Sequence, residues 1–152
     1  VAMATEHLPG VFGDGAPSLR QRLAYATAVL LFNAYPLPRH GGFSVTLDYT
    51  AELVDAGATP LIYPEGRIRQ PGEQPPPFRD GPSMLARDLR VPVIPAGLTG
   101  TGRGLPLGTR RPRPGRVTLR FGEPLRVERA EESDIGRFTR RLEDAVRKLA
   151  RS

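Results

Sequence analysis

The clearest pattern of apolar and polar positions lies at residues 135–149. Apolar side chains recur there at helical spacing, while arginines and acids fill the intervening positions: Ile135, Phe138, Leu142, Val146 and Leu149. Such a stripe is typical of an amphipathic helix whose apolar side packs against a core. The pattern predicts a helix in which these five residues face inward.

Three further helices are predicted, at residues 18–32, 44–56 and 82–90. Their ends are indicated by residues that favour particular positions at helix termini. Serine favours the N-cap, glycine the residue after the helix, and proline the first turn. The residues that occupy these positions are Ser18, Ser44, Gly57 and Pro82.

Short apolar segments between the helices are predicted to be strands, at residues 1–5, 35–38, 60–63, 91–98 and 116–121. In the last of these, Val117, Leu119 and Phe121 alternate with polar residues, the pattern of a strand that buries one side-chain row. Pro92 and Pro95 place the fourth segment at a sheet edge or a strand end. Because strands alternate with helices, the sequence predicts an α/β fold with a mixed, largely parallel sheet flanked by helices.

Composition narrows the classes of site that the chain can hold. With 152 residues it fits one domain, and its 17 glycines and 17 prolines fall mostly in two stretches that we interpret as long loops. It has no cysteine, which excludes disulfides and thiolate zinc sites, and two histidines are too few for a histidine-rich metal site. The longest apolar run, Leu23–Phe32, is shorter than the ~20 residues that a membrane span needs.

The charge favours anionic partners. Lysine and arginine total 22 against 16 acids, a net charge of +6. Phosphates, acidic lipid head groups and nucleic acid all fit this sign. We expect no nucleic-acid partner, because the arginines lack the interleaved aromatic residues on which bases stack.

Candidate chemistry follows two of the predicted strands. Tyr35–Arg39 and Tyr63–Arg69 each place arginine in a glycine-flanked loop directly after a short apolar segment. Functional loops lie at the carboxyl ends of strands in α/β sheets, and a guanidinium there can hold a phosphate through two hydrogen bonds. The alternative for any one of these arginines is a solvated surface charge.

Taken in order, these segments resemble the characteristic blocks of the glycerol-3-phosphate and lysophosphatidic-acid acyltransferase superfamily. Tyr35–Arg39 is similar to the family's Phe-Pro-x-x-Arg, and Tyr63–Arg69 is similar to its Phe-Pro-Glu-Gly-Thr-Arg-Ser. The further matching segments are Phe78 with Gly81, Val91–Pro95 and Phe121–Pro124. Isoleucine stands where the third block has its usual arginine, so either Arg67 or Arg69 takes that role.

The family's first block, Asn-His-x-x-x-x-Asp, has no match in the chain. His7 is followed five residues later by Phe12, and His40 by Val45. The resemblance therefore implies that residues 1–152 are the C-terminal part of a single acyltransferase domain. It also implies that the chain alone is inactive, since the missing block supplies the catalytic base and its orienting carboxylate.

The resemblance implies transfer of a fatty acyl group, without a cofactor, from acyl-CoA or acyl-carrier protein to a glycerophosphate or lysophospholipid hydroxyl. Arg39, with Arg67 or Arg69, is then expected to bind the acceptor phosphate. Glu65 and Gly66 are expected to support the site, the alternative for Glu65 being a helix or turn cap. Pro95 either shapes the acyl-donor wall or ends a strand.

The expected location is the cytoplasmic face of a membrane, with the protein bound peripherally to an anionic surface. The loop of residues 103–116, which carries five arginines and no acid, is a candidate for that contact. The remaining alternative is a non-catalytic relative that only binds phosphorylated lipid.

Overall fold

A computed structural model describes residues 2–4, 19, 27, 35–37, 42–67, 73–101 and 113–151. The chain divides into two compact units, Val1–Arg67 and Ile68–Ser152. Most of the helix predicted at residues 18–32 lies outside the described residues, although Leu19 and Thr27 are helical. Among the described residues, no helix combines the length and the apolar character that crossing a bilayer requires.

In the first unit, strand β1 (Ala2–Ala4) pairs with strand β2 (Tyr35–Leu37). The pairing is parallel, with Ala2 opposite Tyr35 and Ala4 opposite Leu37. The pair confirms the strands predicted at residues 1–5 and 35–38.

Helix α1 spans Gly42–Asp55 and is followed by a glycine-terminated cap. Gly57, at φ +80°, donates its N–H to the Val54 carbonyl at 2.9 Å, and Ala58 donates to the Leu53 carbonyl at 2.9 Å. These two bonds form the Schellman arrangement, which confirms Gly57 as the stop.

The start of α1 differs from the prediction. The helix begins two residues before Ser44, so Ser44 lies in its first turn and is not the N-cap. N-cap preferences differ by only about 1 kcal/mol, which is too little to fix the first residue of a helix against other interactions.

Residues 58–63 follow this helix but form no strand. The strand predicted at residues 60–63 is therefore wrong, and the Leu61 and Tyr63 side chains are exposed. A run of apolar residues is compatible with a strand, but a strand also needs a neighbouring strand to pair with. The run does not identify that neighbour.

The second unit opens with a proline-rich segment and helix α2, Gly81–Leu89. Pro82 lies in its first turn, as predicted. Arg90 caps the helix after its last residue, Leu89. It takes the left-handed conformation at φ 56° and donates its N–H to the Arg87 carbonyl at 3.2 Å.

Strand β3 (Ala96–Thr99) pairs with strand β4 (Thr118–Phe121) in antiparallel fashion, with Ala96 opposite Phe121 and Leu98 opposite Leu119. The strand predicted at residues 91–98 therefore starts later than expected. Before it, Val93 makes only an isolated bridge to Leu125. The described residues contain both helices and strands, which is compatible with the predicted α/β fold, and a largely parallel sheet stays a prediction.

A 3₁₀ helix at Arg129–Glu131 precedes helix α3, Ile135–Arg151. Phe138 is 0% exposed and Leu142 is buried, which confirms the inward stripe predicted for this helix. Leu85 and Ala86 of α2 are buried as well. The core of the second unit therefore includes one side of α3 and residues of α2.

The burial predicted for β4 is wrong. Val117, Leu119 and Phe121 share one face as expected, but that face is exposed, to 67% at Phe121. Helix α3 covers the opposite face, where a Cβ on Gly97 would lie 2.6 Å from the Leu149 Cβ. Alternation identifies the residues that share a face, but it does not determine which face another element covers.

Candidate active site

The candidate site in the first unit is a tight turn at Tyr63–Gly66. The Gly66 N–H donates to the Tyr63 carbonyl at 3.2 Å, which closes a β-turn with Pro64 at its second position. Gly66 has φ +66°, in the left-handed region that glycine enters without a Cβ penalty. Proline at the second position and glycine at the fourth are the residues that such a turn favours.

The end of this turn and the residue after it hold three of the predicted site residues at consecutive positions. Glu65 and Gly66 are half-buried, and Arg67 is exposed. A carboxylate and a guanidinium two residues apart can act on different parts of one ligand, because the first accepts hydrogen bonds and the second donates them.

The other two predicted arginines, Arg39 and Arg69, lie outside the described residues. Strand β2 ends at Leu37, two residues before Arg39 in the chain. The structure therefore brings together Glu65, Gly66 and Arg67, and the choice between Arg67 and Arg69 for the third-block role stays open.

Pro95 belongs to the second unit and lies directly before β3. It is buried, and its carbonyl accepts a hydrogen bond from the Gly122 N–H at 2.9 Å. A residue without an N–H suits this position, because only its carbonyl makes a hydrogen bond to the segment beside it. Pro95 thus precedes a strand, and its contact with an acyl donor stays a prediction.

Residues 23–99, half of the chain, match the family model described as Acyltransferase. The matched range contains every predicted site residue. The chain belongs to the acyltransferase family.

Two curated relatives resemble this acyltransferase chain. A 1-acyl-sn-glycerol-3-phosphate acyltransferase of Cocos nucifera is 31% identical over 78 residues, which are 51% of the chain and 25% of that enzyme. The chloroplastic 1-acyl-sn-glycerol-3-phosphate acyltransferase BAT2 of Brassica napus is 40% identical over 58 residues, which are 38% of the chain and 17% of that enzyme. The aligned part of the chain thus spans a quarter or less of each relative. No solved structure matches the chain.

In the second unit of the acyltransferase chain, a polar row on α3 that the sequence analysis missed holds the segment before α2. Glu143 accepts a hydrogen bond from the Phe78 N–H at 3.0 Å and forms an ion pair with Arg147. Arg147 also donates to the Pro75 carbonyl at 3.5 Å. The spacing of four residues between Glu143 and Arg147 is typical of an ion pair on a helix surface. Nothing in the sequence indicates that this pair contacts the proline-rich segment.

One turn earlier on α3, Thr139 continues this row. Its hydroxyl donates to the Asp80 carboxylate at 2.6 Å and lies 2.9 Å from the Ser83 hydroxyl oxygen. Thr139 and Ser83 are both buried, so the bond satisfies polar groups that have little access to water. The row therefore fixes the start of α2 as well as the segment before it.

A second missed cluster surrounds Glu131. Arg141 donates two hydrogen bonds to this buried carboxylate, at 2.9 and 2.7 Å, and a third to the Arg126 carbonyl at 2.8 Å. The Glu128 N–H adds another bond to Glu131 at 2.9 Å, and the Arg141 guanidinium lies 5.1 Å from the Phe138 ring centroid. The hydrogen bonds from Arg141 lower the pKa of Glu131, and the same pairing raises the pKa of Arg141. Glu128 and Glu131 also form a reciprocal capping box on the 3₁₀ helix, which was not predicted because glutamate is not a preferred N-cap residue.

Proposed function

We propose that the protein containing this chain transfers a fatty acyl group from acyl-CoA or acyl-carrier protein to a glycerophosphate or lysophospholipid hydroxyl, in phospholipid biosynthesis. The observation that carries the proposal is the Tyr63–Gly66 turn within the matched family region. Both relatives are 1-acyl-sn-glycerol-3-phosphate acyltransferases, which supports the acceptor class.

Arginine is the proposed ligand of the acceptor phosphate. Arg39 is the first candidate, with Arg67 or Arg69 as the second cation. A guanidinium presents two parallel donors to a phosphate, so it fixes the orientation of the acceptor as well as its charge. The exposure of Arg67 beside the half-buried Glu65 supports a ligand that enters from solvent.

Glu65, Gly66 and Pro95 are proposed to shape the rest of the site. Glu65 accepts a hydrogen bond from the acceptor hydroxyl or orients an arginine, and the left-handed Gly66 lets the ligand approach the backbone closely. Pro95 contributes to the wall beside the acyl donor.

The general base is proposed to lie outside this chain, because neither His7 nor His40 has an aspartate five residues later. A histidine oriented by a carboxylate would remove the hydroxyl proton as the oxygen attacks the thioester carbonyl carbon. The carbon–sulfur bond then breaks, and the histidine returns the proton to the departing thiolate of the donor. We therefore propose that residues 1–152 are the C-terminal part of one acyltransferase domain and that they do not catalyse transfer alone. The proposed location is the cytoplasmic face of a membrane.

The proposal is tested with the longest gene product that contains this chain, assayed with labelled acyl-CoA and lysophosphatidate. Arg39→Ala is compared with Arg129→Ala, which removes an exposed arginine of the 3₁₀ helix. We expect the KM for lysophosphatidate to rise at least about tenfold in Arg39→Ala, because a charge-assisted bidentate contact is lost. Arg129→Ala should match the unaltered protein.

A non-catalytic phosphate-binding relative is the second candidate, favoured by the absence of the Asn-His-x-x-x-x-Asp block from this chain. The same protein then binds lysophosphatidate in an Arg39-dependent way but transfers no acyl group. Equal KM values for Arg39→Ala and Arg129→Ala would instead remove Arg39 from the acceptor site.

A further inference from the structure

The side of helix α3 that faces away from the core carries a row of charged side chains. Its members are all exposed: Arg137, Arg140, Asp144, Lys148 and Arg151. Successive members are three or four positions apart, so they lie on one side of the helix. We call these five residues the basic stripe, since four of them are cations and one is an acid.

The apolar side of α3 is already in contact with the rest of the second unit. Phe138 and Leu142 are buried, and the helix lies against Gly97 of β3 at Leu149. A helix that lies in a membrane interface inserts its apolar side among the lipids. Because α3 uses that side for the core, the basic stripe contacts a partner through charge and hydrogen bonds.

A surface concavity of about 410 Å³ lies beside the C-terminal part of the stripe. It is lined by Asp144, Arg147, Lys148 and Arg151. Arg147 adds a further cation there, although its guanidinium also pairs with Glu143. Three cations around one concavity provide several hydrogen-bond donors and a positive potential, which suit the carboxylates of an acidic partner.

The stability of the helix explains only part of the stripe. Cations in the last turn of a helix interact favourably with its dipole, but Arg137 lies in the first turn, where a cation is unfavourable. The charge of Arg137 acts on Glu131, which already accepts two hydrogen bonds from Arg141. Arg140 lies 4.0 Å from Asp134, and an exposed pair of this kind contributes little. The cations of the first half of α3 are therefore better explained by a partner.

The length and composition of the stripe favour a protein as that partner. Arg137 and Arg151 are 14 positions apart in α3, a distance of about 21 Å along the helix. The phosphates of one CoA molecule are grouped at its nucleotide end and cover only part of this length, whereas a protein surface can match all of it. Asp144 within the stripe also fits the mixed charges of a protein better than the uniformly negative surface of lipid or nucleic acid.

We propose that the basic stripe docks an acidic surface of acyl-carrier protein, which is therefore the acyl donor of the transfer reaction. Lys148 and Arg151 contact carboxylates of the carrier at the concavity, and Arg137 and Arg140 extend the contact toward the start of α3. The identity of the partner rests on the proposed function. The docking itself is a binding equilibrium that requires no transfer.

The test uses the longest gene product that contains this chain and two donors with the same acyl group, one on acyl-carrier protein and one on CoA. The double variant Lys148→Gln with Arg151→Gln should raise the KM for the carrier thioester at least about fivefold and leave the KM for acyl-CoA unchanged. Asp144→Asn should lower the KM for the carrier thioester about twofold, because it removes an acid from the stripe. Both effects should shrink as salt is raised.

A matched double variant provides the control. Arg113→Gln with Arg116→Gln removes two exposed arginines outside α3, also three positions apart, and should change neither KM. Fluorescence anisotropy of labelled acyl-carrier protein measures its Kd for every variant, so docking is tested even where neither donor supports transfer. Circular dichroism establishes that the fold is unchanged.

Several outcomes would overturn the proposal. An equal rise in both KM values would assign Lys148 and Arg151 to a group that the two donors share. An unchanged Kd in their double variant would remove the stripe from carrier binding. Weaker binding in Asp144→Asn would show that charge complementarity is not what is measured. Loss of binding to phosphatidylglycerol vesicles, measured in parallel, with carrier binding unchanged, would assign the stripe to a membrane.

Discussion

In the β3–β4 pair the more polar face is covered and the apolar face is exposed, which is the reverse of the usual arrangement. The face against α3 carries Gly97 and polar residues, whereas the face that is exposed carries leucine, valine and phenylalanine. Here the absence of a side chain at Gly97 lets the α3 backbone approach the strand directly. The comparison shows that close backbone packing, and not only side-chain polarity, can determine which face of a strand pair a helix covers.

Of the substitutions that test this comparison, the largest loss of stability is expected from adding one methyl group to the face that α3 covers. In Gly97→Ala the new Cβ would meet the Leu149 carbonyl carbon and the Ala150 nitrogen, both at 2.8 Å. Backbone atoms cannot rotate away, so we expect the free energy of unfolding to fall by up to about 3 kcal/mol. Thermal or urea unfolding measures this change.

Gly81→Ala is the control for that substitution, because a Cβ on Gly81 meets nothing within 4 Å. It should leave the stability unchanged or raise it slightly. Equal stability of the two variants would show that α3 does not rest on Gly97.

An intermediate effect is expected at the Glu131 cluster beside the start of α3. Glu131→Gln removes the charge that Arg141 contacts but keeps an oxygen that can accept a hydrogen bond. We expect the free energy of unfolding near pH 7 to fall by about 1.5 kcal/mol, the contribution of a hydrogen bond to a charged group. Glu132→Gln, at an exposed neighbouring position, should have little effect.

The same pair of variants tests the pH dependence. Because Arg141 lowers the pKa of Glu131 in the folded chain, the unfolded chain takes up its proton at a higher pH. The stabilisation is therefore present above the unfolded value and is lost as the pH falls through the folded value. Urea unfolding between about pH 7 and about pH 3 should show a shallower loss in Glu131→Gln than in Glu132→Gln. Parallel curves would contradict this role of Glu131.

The smallest effect on stability is expected on the exposed face of the β3–β4 pair, here called the outer face, which carries Leu98, Val117, Leu119 and Phe121. Leu119→Ser removes an exposed side chain whose contact in the strand pair is Leu98, so the free energy of unfolding should change by less than about 1 kcal/mol. Urea unfolding of Leu119→Ser and Gly97→Ala, measured side by side, compares the free energies of unfolding that the two faces contribute. A loss at Leu119 as large as that at Gly97 would mean that the outer face is packed in the folded protein.

Helices were predicted more accurately than strands because their signals are local. The 3.6-residue period of α3 and Pro82 at the start of α2 each lie within one segment. The strand at residues 116–121 was located, but its burial was inverted, since burial depended on the contact between Gly97 and Leu149. The strand predicted at residues 60–63 was wrong because no local pattern identifies a pairing partner.

The candidate site, like the strands, was predicted only in part. The motif Pro64-Glu65-Gly66 indicated a loop that brings functional groups together, and the structure has a turn there with Gly66 in the left-handed region. Arg39 and Arg69 stay predictions. Arg141 and Thr139 were not found because their partners are distant in sequence. Glu131 was not found because its capping box has glutamate at the N-cap, where serine, threonine, aspartate or asparagine is preferred.

The polar row on α3 has a consequence for the order in which the second unit assembles. Its bonds join residues 56 to 72 positions apart in the chain, from the Thr139–Ser83 pair to the Arg147–Pro75 pair. Closing such large loops is slow and has an entropic cost that local helix formation does not have. During synthesis the segment before α2 leaves the ribosome well before α3 does. It therefore cannot form these hydrogen bonds until the later helix has emerged.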